Sequence, residues 1–274
     1  MSERPVEAWA EWLTRELAGD GDTPARPVFV YPTAGSTQDL AFERIVELGP
    51  HAVGAVVVAD RQTAGRGRLG RRWQSPAGTS LMFSLVVRPT GFDPPSDPQS
   101  LAGLGERLSY GSCAVTAEVL DQVLAVVDQR VTIKWPNDLF VGPRKLGGIL
   151  IEQRDGWFVI GIGINVNLDR SQLPEELRDS ATSLAMCGPR GIDRPELLRR
   201  LIRALDAGLN PGDDPRLRGV WRDKCLAWGR STRLNCEGKI IDGRVVDIDP
   251  DAGLAVRQLD GRVVWLRSER TTTA

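Results

Sequence analysis

The chain holds a single histidine, His51, and only four cysteines, Cys113, Cys187, Cys225 and Cys236, none of them in a C-x-x-C pair. With one imidazole available, neither a Ser-His-Asp triad nor a histidine metal cluster can be assembled. The wide cysteine spacing argues against a zinc knuckle or a disulfide framework. The chain also lacks an excess of charge: 35 Lys and Arg against 36 Asp and Glu leave a formal net charge of -1. That removes the basic footprint of a sequence-independent nucleic-acid binder. No stretch reaches the roughly 18 uninterrupted apolar residues of a membrane helix, and the N-terminus is acidic and mixed rather than a charged head followed by an apolar run. A cytoplasmic protein with no membrane contact is expected. No G-x-x-x-x-G-K-S/T occurs, so a P-loop is absent.

What is present is an ordinary globular composition, 274 residues with 41% hydrophobic and 26% charged, enough for one large domain or one plus a small companion. Val6, Trp9, Leu13 and Leu17 recur at helical spacing after Pro5 and predict a helix over 5–18, ended by the run Gly19 to Asp22. Val28 to Tyr31 reads as a strand. Ser36 with Asp39 three residues later reads as a helix-start box ahead of Leu40, Phe42 and Ile45. Strands are expected at 55–59 and 81–87, followed by a proline-rich loop around Pro94, Pro95 and Pro98. Residues 101–127 then carry helical periodicity interrupted by Gly103, Gly105 and Gly111, which fits one long helix or two shorter ones. Three β-like runs, 131–135, 145–153 and 157–166, form an antiparallel meander with Asp155-Gly156 as a two-residue hairpin turn. Helices are expected at 195–209 and 217–228. From Ser231 to Arg267, short strands punctuated by Asp242-Gly243, Asp249-Pro250-Asp251 and Asp260-Gly261 predict a small all-β barrel, with a boundary near residue 225.

Gly65-Arg66-Gly67-Arg68-Leu69-Gly70 fits the dinucleotide fingerprint by letter, but Pro76 and Gly78 deny it the helix that would hold a pyrophosphate. The run instead offers exposed amides and arginines suited to phosphate or carboxylate, with Trp73 placed to stack on a base. A solvated basic turn is the plainer alternative. Lys134-Trp135-Pro136-Asn137-Asp138 ends a strand in a sharp turn carrying a lysine, an amide and a carboxylate, and Asn137 could read an adenine edge. The same residues are also ordinary turn formers. Lys145 opens an apolar strand whose Gly147 and Gly148 permit close ligand approach. Gly161 to Asn165 puts a polar amide at the end of a core strand, where it needs a partner. His51 falls in a helix-to-strand loop and is read as surface.

In order along the chain, Ser36-Thr37-Gln38, Gln62 to Arg68 with Trp73, Lys134 to Asp138, Arg144 to Leu150 and Gly161 to Asn165 resemble the signatures of the biotin protein ligase family. The match spans residues 28–170. Gln38 stands where the family pattern has asparagine, one methylene shorter. The resemblance implies an α+β fold with a mixed or antiparallel sheet and helices, related to the lipoate ligase catalytic fold. It also implies a catalytic domain over 1–225 and an SH3-like β domain over 226–274. The implied activity is ATP-dependent formation of biotinyl-5'-AMP and transfer of biotin to a lysine of a biotin carboxyl carrier domain, that of acetyl-CoA carboxylase or a related carboxylase. Arg66, Arg68 and Lys145 would be catalytic. Ser36, Thr37, Gln62, Gly65, Arg66, Lys145 and Gly148 would hold biotin. Arg68, Trp73, Lys134, Asn137, Asn165 and Arg267 would hold ATP or the adenylate, Arg267 through a short C-terminal motif, Leu266-Arg267-Ser268. Asp138 would be the candidate ligand for Mg²⁺. The resemblance is compatible with a homodimer. The residues before Ser36 are too few for a winged helix-turn-helix, so DNA binding is not expected. The alternatives are a lipoate or octanoate ligase or transferase of the same fold, and a non-catalytic biotin or adenylate sensor.

Overall fold

The apolar runs at 55–59 and 81–87 become the interior of a seven-stranded sheet in the computed structural model, which describes residues 3–18, 26–88, 98–209, 214–268 and 271–273. The expected loop at Pro94 and Pro95 and the helix-ending run from Gly19 lie outside the described residues. The strands are β1 (Val28–Ala34), β2 (Val56–Gln62), β3 (Ser80–Val87), β4 (Val131–Lys134), β5 (Asp138–Val141), β6 (Arg144–Arg154) and β7 (Trp157–Asn165), in the order β1-β2-β3-β7-β6-β5-β4. β1 and β2 are parallel and every other pair is antiparallel, so the sheet is mixed.

Strand alternation divides the core into two layers. On one face Val57, Val86 and Val159 pack against Ala41, Phe42 and Ile45 of α2 (Thr37–Leu48). On the other, Val56, Val58, Leu81 and Phe83 meet Trp9 and Leu13 of α1 (Trp9–Glu16), together with α3 (Pro98–Leu124), the short α4 (Leu184–Cys187) and α5 (Arg194–Gly208). The region 98–124 is one helix, and two of its glycines are packing positions: a Cβ on Gly111 would stand 3.2 Å from Leu209 and one on Gly105 3.7 Å from Phe158. Leu101–Val127 is long and apolar enough to cross a membrane, with a mean hydropathy of 1.3, but 61% of that window is buried inside the fold, which makes it a core helix.

The meander has one strand more than the three expected runs, because β5 follows directly on the turn that contains a cis Trp135-Pro136 bond. Asp155 and Gly156 form the expected hairpin turn with φ of 49° and 76°. The expected helix at 217–228 is α6 (Pro215–Lys224), and it stops early because edge strand β4 captures the chain: Cys225 bridges Ile133, and Leu226 N–H donates to the Ile133 carbonyl at 2.9 Å. Beyond it, β8 (Ser231–Cys236), β9 (Lys239–Asp249), β10 (Gly253–Arg257), β11 (Val263–Leu266) and β12 (Thr271–Thr273) form a second, antiparallel sheet ordered β11-β10-β9-β8-β12. Its Leu234, Val245, Leu254 and Leu266 belong to the same continuous apolar cluster as the first sheet. Trp221 of α6, stacked on Tyr110 of α3 at 4.8 Å and donating to its carbonyl, anchors the helices between the sheets.

Candidate active site

The loop between β2 and β3 folds back on itself. Arg66 and Arg72 form an antiparallel bridge, Gly67 N–H donates to the Arg71 carbonyl at 2.7 Å, and Trp73 N–H donates to the Gly65 carbonyl at 2.9 Å. A Cβ on Gly65 would lie 2.5 Å from the Trp73 carbonyl oxygen, so this crossing accepts only glycine. The tip carries Leu69 at φ 58° and Gly70 at φ 73°, left-handed residues that reverse the chain.

Beneath the loop is a cavity of about 150 Å³ whose lining includes Thr37, Gln62, Arg68, Trp73, Asn137 and Lys145. Its floor is glycine backbone. The Trp73 indole rests on Gly163, where a Cβ would stand 2.9 Å from Cε2, and the Gln38 amide rests on Gly161, where a Cβ would stand 2.7 Å from Nε2. Gly148 pairs with Gly163 across the sheet and leaves room for Asp138 and Lys145 at its edge. Lys145 and Gly148 are three residues apart, which in a regular strand puts them on opposite faces. A bulge in β6 removes that offset, since Asp138 and Leu139 pair with Gly148 and Gly147 while Phe140 pairs with Lys145. The lysine is thereby brought over the cavity, with Nζ 2.6 Å from Asp138 Oδ1.

Ser36 is the N-cap of α2, its Oγ accepting from Gln38 N–H at 3.3 Å. The second half of the expected box is absent, because the Asp39 carboxylate accepts from Arg66 at 2.6 and 2.9 Å instead. Glu152 holds the other edge of Arg66, accepting from Nε at 3.1 Å and from the same guanidinium at 2.9 Å. These bonds hold Asp39 below the usual carboxylate range and raise Arg66 further above its own. Gln62 Oε1 accepts from Thr37 N–H at 2.7 Å and from Thr37 Oγ1 at 3.2 Å, and Ser84 Oγ donates to Thr37 Oγ1 at 2.9 Å.

Arg68 is placed differently. Its hydrogen-bond acceptors are neutral oxygens, Asn137 Oδ1 at 3.4 Å and the Ser268 carbonyl, and desolvation holds its guanidinium below the ordinary value. A desolvated cation with neutral partners is a receptive place for an anion. On the outer side of the loop lies an open groove of about 1440 Å³, bordered by Arg71, Arg72, Glu106, Ser109 and Ser268, which shares Arg66 and Arg68 with the cavity.

Ser36, Thr37, Gln62, Arg66, Arg68, Trp73, Asn137, Asp138, Lys145 and Gly148 therefore converge on one cavity. Gly65 forms the neck of the loop above it. Asn165 does not reach it: its amide is buried at the end of β7, donating to the Thr182 carbonyl at 2.9 Å and accepting from Ser80 Oγ at 3.3 Å. Lys134 lies over the Phe140 ring, 5.6 Å from its centroid, and borders a separate small cleft toward the second sheet. Arg267 is exposed and does not reach back. The second sheet meets the loop through Ser268 instead, whose carbonyl accepts from Arg68 and whose N–H and Oγ donate to Glu106 at 3.1 and 2.9 Å. His51 is exposed, as read. The parts played by Asp39, Glu152, Ser84 and Ser268 are missed by sequence reasoning because each acts through a contact distant in sequence, even where, as for Asp39 and Ser268, the residue itself stands in a motif.

Among the described residues no group of three or more His, Cys, Asp or Glu is clustered to hold a metal ion. Asp138 is committed to Lys145, so the described residues alone do not provide a Mg²⁺ cage.

A mixed sheet bearing a glycine-floored cavity under an arginine loop defines a class, and comparison with known proteins names it. The Biotin/lipoate A/B protein ligase family matches residues 30–169. The chain is 34% identical over 258 residues to a biotin acetyl-CoA-carboxylase ligase of Mycobacterium tuberculosis, covering 92% of this chain and 90% of that protein. It is 35% identical over 258 residues to the bifunctional ligase/repressor BirA of Escherichia coli K12, covering 91% and 75%. Among solved structures, the biotin protein ligase of Aquifex aeolicus in complex with biotin and ATP superposes with a TM-score of 0.70 at 29% identity, covering 90% of this chain and 99% of that one. The chain belongs to the biotin protein ligase family, a family of biotin ligase enzymes.

Proposed function

We propose that this chain forms biotinyl-5'-AMP from biotin and ATP and transfers the biotinyl group to a lysine of a carboxylase carrier domain, that of acetyl-CoA carboxylase or a related enzyme, in the cytoplasm. The observation that carries this reading is the convergence of Ser36-Thr37, Gln62, the 65–73 loop, Asn137-Asp138 and Lys145 on one cavity that shares Arg66 and Arg68 with a larger groove. The cavity takes the biotin head, with Thr37 and Gln62 already fixing one another's orientation. Lys145 and Arg68 stand where the carboxylate meets the nucleotide, and the groove takes the adenylate.

In the first step a biotin carboxylate oxygen attacks the α-phosphorus of ATP and pyrophosphate leaves. In the second, the ε-amine of the acceptor lysine attacks the acyl carbon of the mixed anhydride and AMP leaves. No enzyme nucleophile is needed. Lys145 and Arg68 offset the negative charge that gathers as carboxylate and phosphate approach, and the folded loop excludes water from the anhydride. Mg²⁺ carried on the ATP phosphates supplies further charge neutralisation when bound. The 1–225 and 226–274 division, with an SH3-like second domain, fits a role for the small sheet in bracing the loop through Ser268. Intact mass spectrometry of an apo carrier domain after incubation with the chain, biotin and MgATP tests the reading. A gain of one biotinyl group that needs ATP is expected; no gain, or a gain only with lipoate, overturns it.

A further inference from the structure

Arg68 stands where the cavity and the groove meet and lines both. Of its two acceptors, Asn137 Oδ1 lies at 3.4 Å, the outer limit of a hydrogen bond, so the guanidinium is fixed chiefly by the Ser268 carbonyl. Desolvation works against the cation there, and the carboxylates of Asp138 and Glu106 are among the charges that favour it.

The strand that leads to Ser268 does not hold it in place. The ladder between β10 and β11 ends at the Leu254–Leu266 pair, and Ser268 lies beyond that last pairing of β11. Its anchor is Glu106. One carboxylate oxygen, Oε1, accepts from the Ser268 N–H at 3.1 Å and from the Ser268 hydroxyl at 2.9 Å. Two donors of one residue on one acceptor fix both its main chain and its side-chain rotamer. Glu106 in turn rests on a rigid base. It lies inside α3 between Leu104 and Leu108, both buried, and beside Gly105, whose bare Cα brings the helix onto Phe158 and Ile151. Arg107, the next residue, pairs with Asp251 at the turn between β9 and β10, so α3 grips the second sheet at two points.

Resting on the reading that Arg68 offsets charge in the first step, we propose that Glu106 is a positioning residue, which through Ser268 determines where the Arg68 guanidinium stands between the cavity and the groove. The second sheet supplies the carbonyl and α3 supplies its position. The reacting end of the loop is thereby registered against the helical core as well as against its own strands. A main-chain carbonyl is common to every residue; the hydroxyl of Ser268 and the glutamate opposite it are the part that this sequence specifies.

The test is a double-mutant cycle on the full chain with Glu106→Met, which keeps the side-chain stem and removes the acceptor, and Arg68→Met. Two quantities are read: amide exchange of peptides covering 66–70 without ligand, and biotin- and ATP-dependent pyrophosphate release. Glu106→Met should speed the exchange several-fold and lower kcat about tenfold, with KM for biotin changed far less. In the Arg68→Met background it should add nothing to either. Glu106→Gln, which keeps an oxygen acceptor and discards the charge, should restore most of both. A loss of the same size in both backgrounds marks a purely structural role and overturns the proposal. So does a Glu106→Gln that behaves like Glu106→Met, since charge and not placement would then be the cause. If Glu106→Met does not fold, Glu106→Ala is read in the same cycle with the same outcomes required. A parent that releases no pyrophosphate sinks the ligase reading, and the exchange cycle, which needs no substrate, then decides on Glu106 alone.

Discussion

Arg66 donates two hydrogen bonds to the Asp39 carboxylate, at 2.6 and 2.9 Å, and so ties the Gly- and Arg-rich loop to the first turn of α2. With Glu152 on its other edge, the guanidinium is already satisfied, and any anionic ligand that engages it competes with two carboxylates. Asp39→Asn weakens this tie without touching the cavity floor. Tryptic cleavage within residues 66–72 of the unliganded protein should accelerate several-fold, followed by peptide mapping; an unchanged rate would show that Asp39 does not hold the loop.

The same pair sets an acid limit. Arg66 lowers the folded-state pKa of Asp39 below the ordinary 3.8, so its contribution is fully present above that value and is lost as pH falls through the depressed one. Both side chains are partly exposed, and after screening the pair is worth less than about 1 kcal/mol. Amide exchange across 63–73 should therefore rise as pH drops below 3.8, beyond the intrinsic pH effect, in the parent and not in Asp39→Asn.

Lys145 reaches the cavity only because of the bulge in β6, and Nζ sits 2.6 Å from Asp138. Lys145→Met should lower ATP- and biotin-dependent pyrophosphate release by about a hundredfold, the scale of removing one preorganised charge from a reacting centre. Biotin affinity should change far less. Lys145→Arg should not restore the rate, because a planar guanidinium spreads over a fork the charge that the ammonium holds at one point beside Asp138. Equal losses in affinity and rate would assign the lysine to ground-state binding.

Gly163→Ala puts a methyl 2.9 Å from the Trp73 ring, whereas the methyl of Gly103→Ala in α3 meets nothing within 4 Å and lies outside both the cavity and the groove. The first should cost about 1–3 kcal/mol or displace the indole, raising KM for the adenylation substrates about tenfold. The second should be close to neutral for activity. Matching behaviour of the two variants would contradict the placement of Trp73.

Arg194 is 3% exposed and joins Glu3, Asp60 and the Ser80 carbonyl, at 2.6, 2.5 and 2.9 Å. It is remote from the cavity lining, so Arg194→Ala should act on stability alone. Removing the buried guanidinium and leaving the partly exposed Glu3 and Asp60 carboxylates side by side costs about 1–3 kcal/mol, read as a lower urea midpoint. A variant with parental stability would show that the network is relaxed in solution.

The parts of this molecule legible in the sequence are those that local chemistry fixes. The Asp155-Gly156 turn, the helix-start serine and the continuous apolar runs of β3 and β7 follow from φ preferences, capping and burial on both faces of the sheet, and the structure shows them. The parallel pairing of β1 with β2 is not written locally, since both strands would look the same antiparallel. The bulge that swings Lys145 over the sheet leaves no mark in an apolar run, and β5 hides behind a turn motif. For the site, motif order brings most of the cavity lining together. Asn165 and Arg267 lie outside that lining: the Asn165 amide is satisfied by Thr182 and Ser80 within the fold, and at the end of the second sheet it is Ser268, one residue on, that meets Arg68. Asp39 and Glu152 bind an arginine 27 and 86 residues away, beyond any spacing rule.

The glycine floor has one more consequence. A recess made by omitting side chains from Gly148, Gly161 and Gly163, rather than by parting secondary elements, keeps the hydrogen-bond ladder of β6 and β7 continuous beneath it. The base of such a recess is rigid before any ligand arrives, so ordering on binding falls on the loop above and little on the base. Its depth is also set in whole carbon atoms. A single nucleotide change that turns Gly161 or Gly163 into alanine would push the Gln38 amide or the Trp73 ring off the sheet, so the shape of the recess can change between related sequences only in discrete steps.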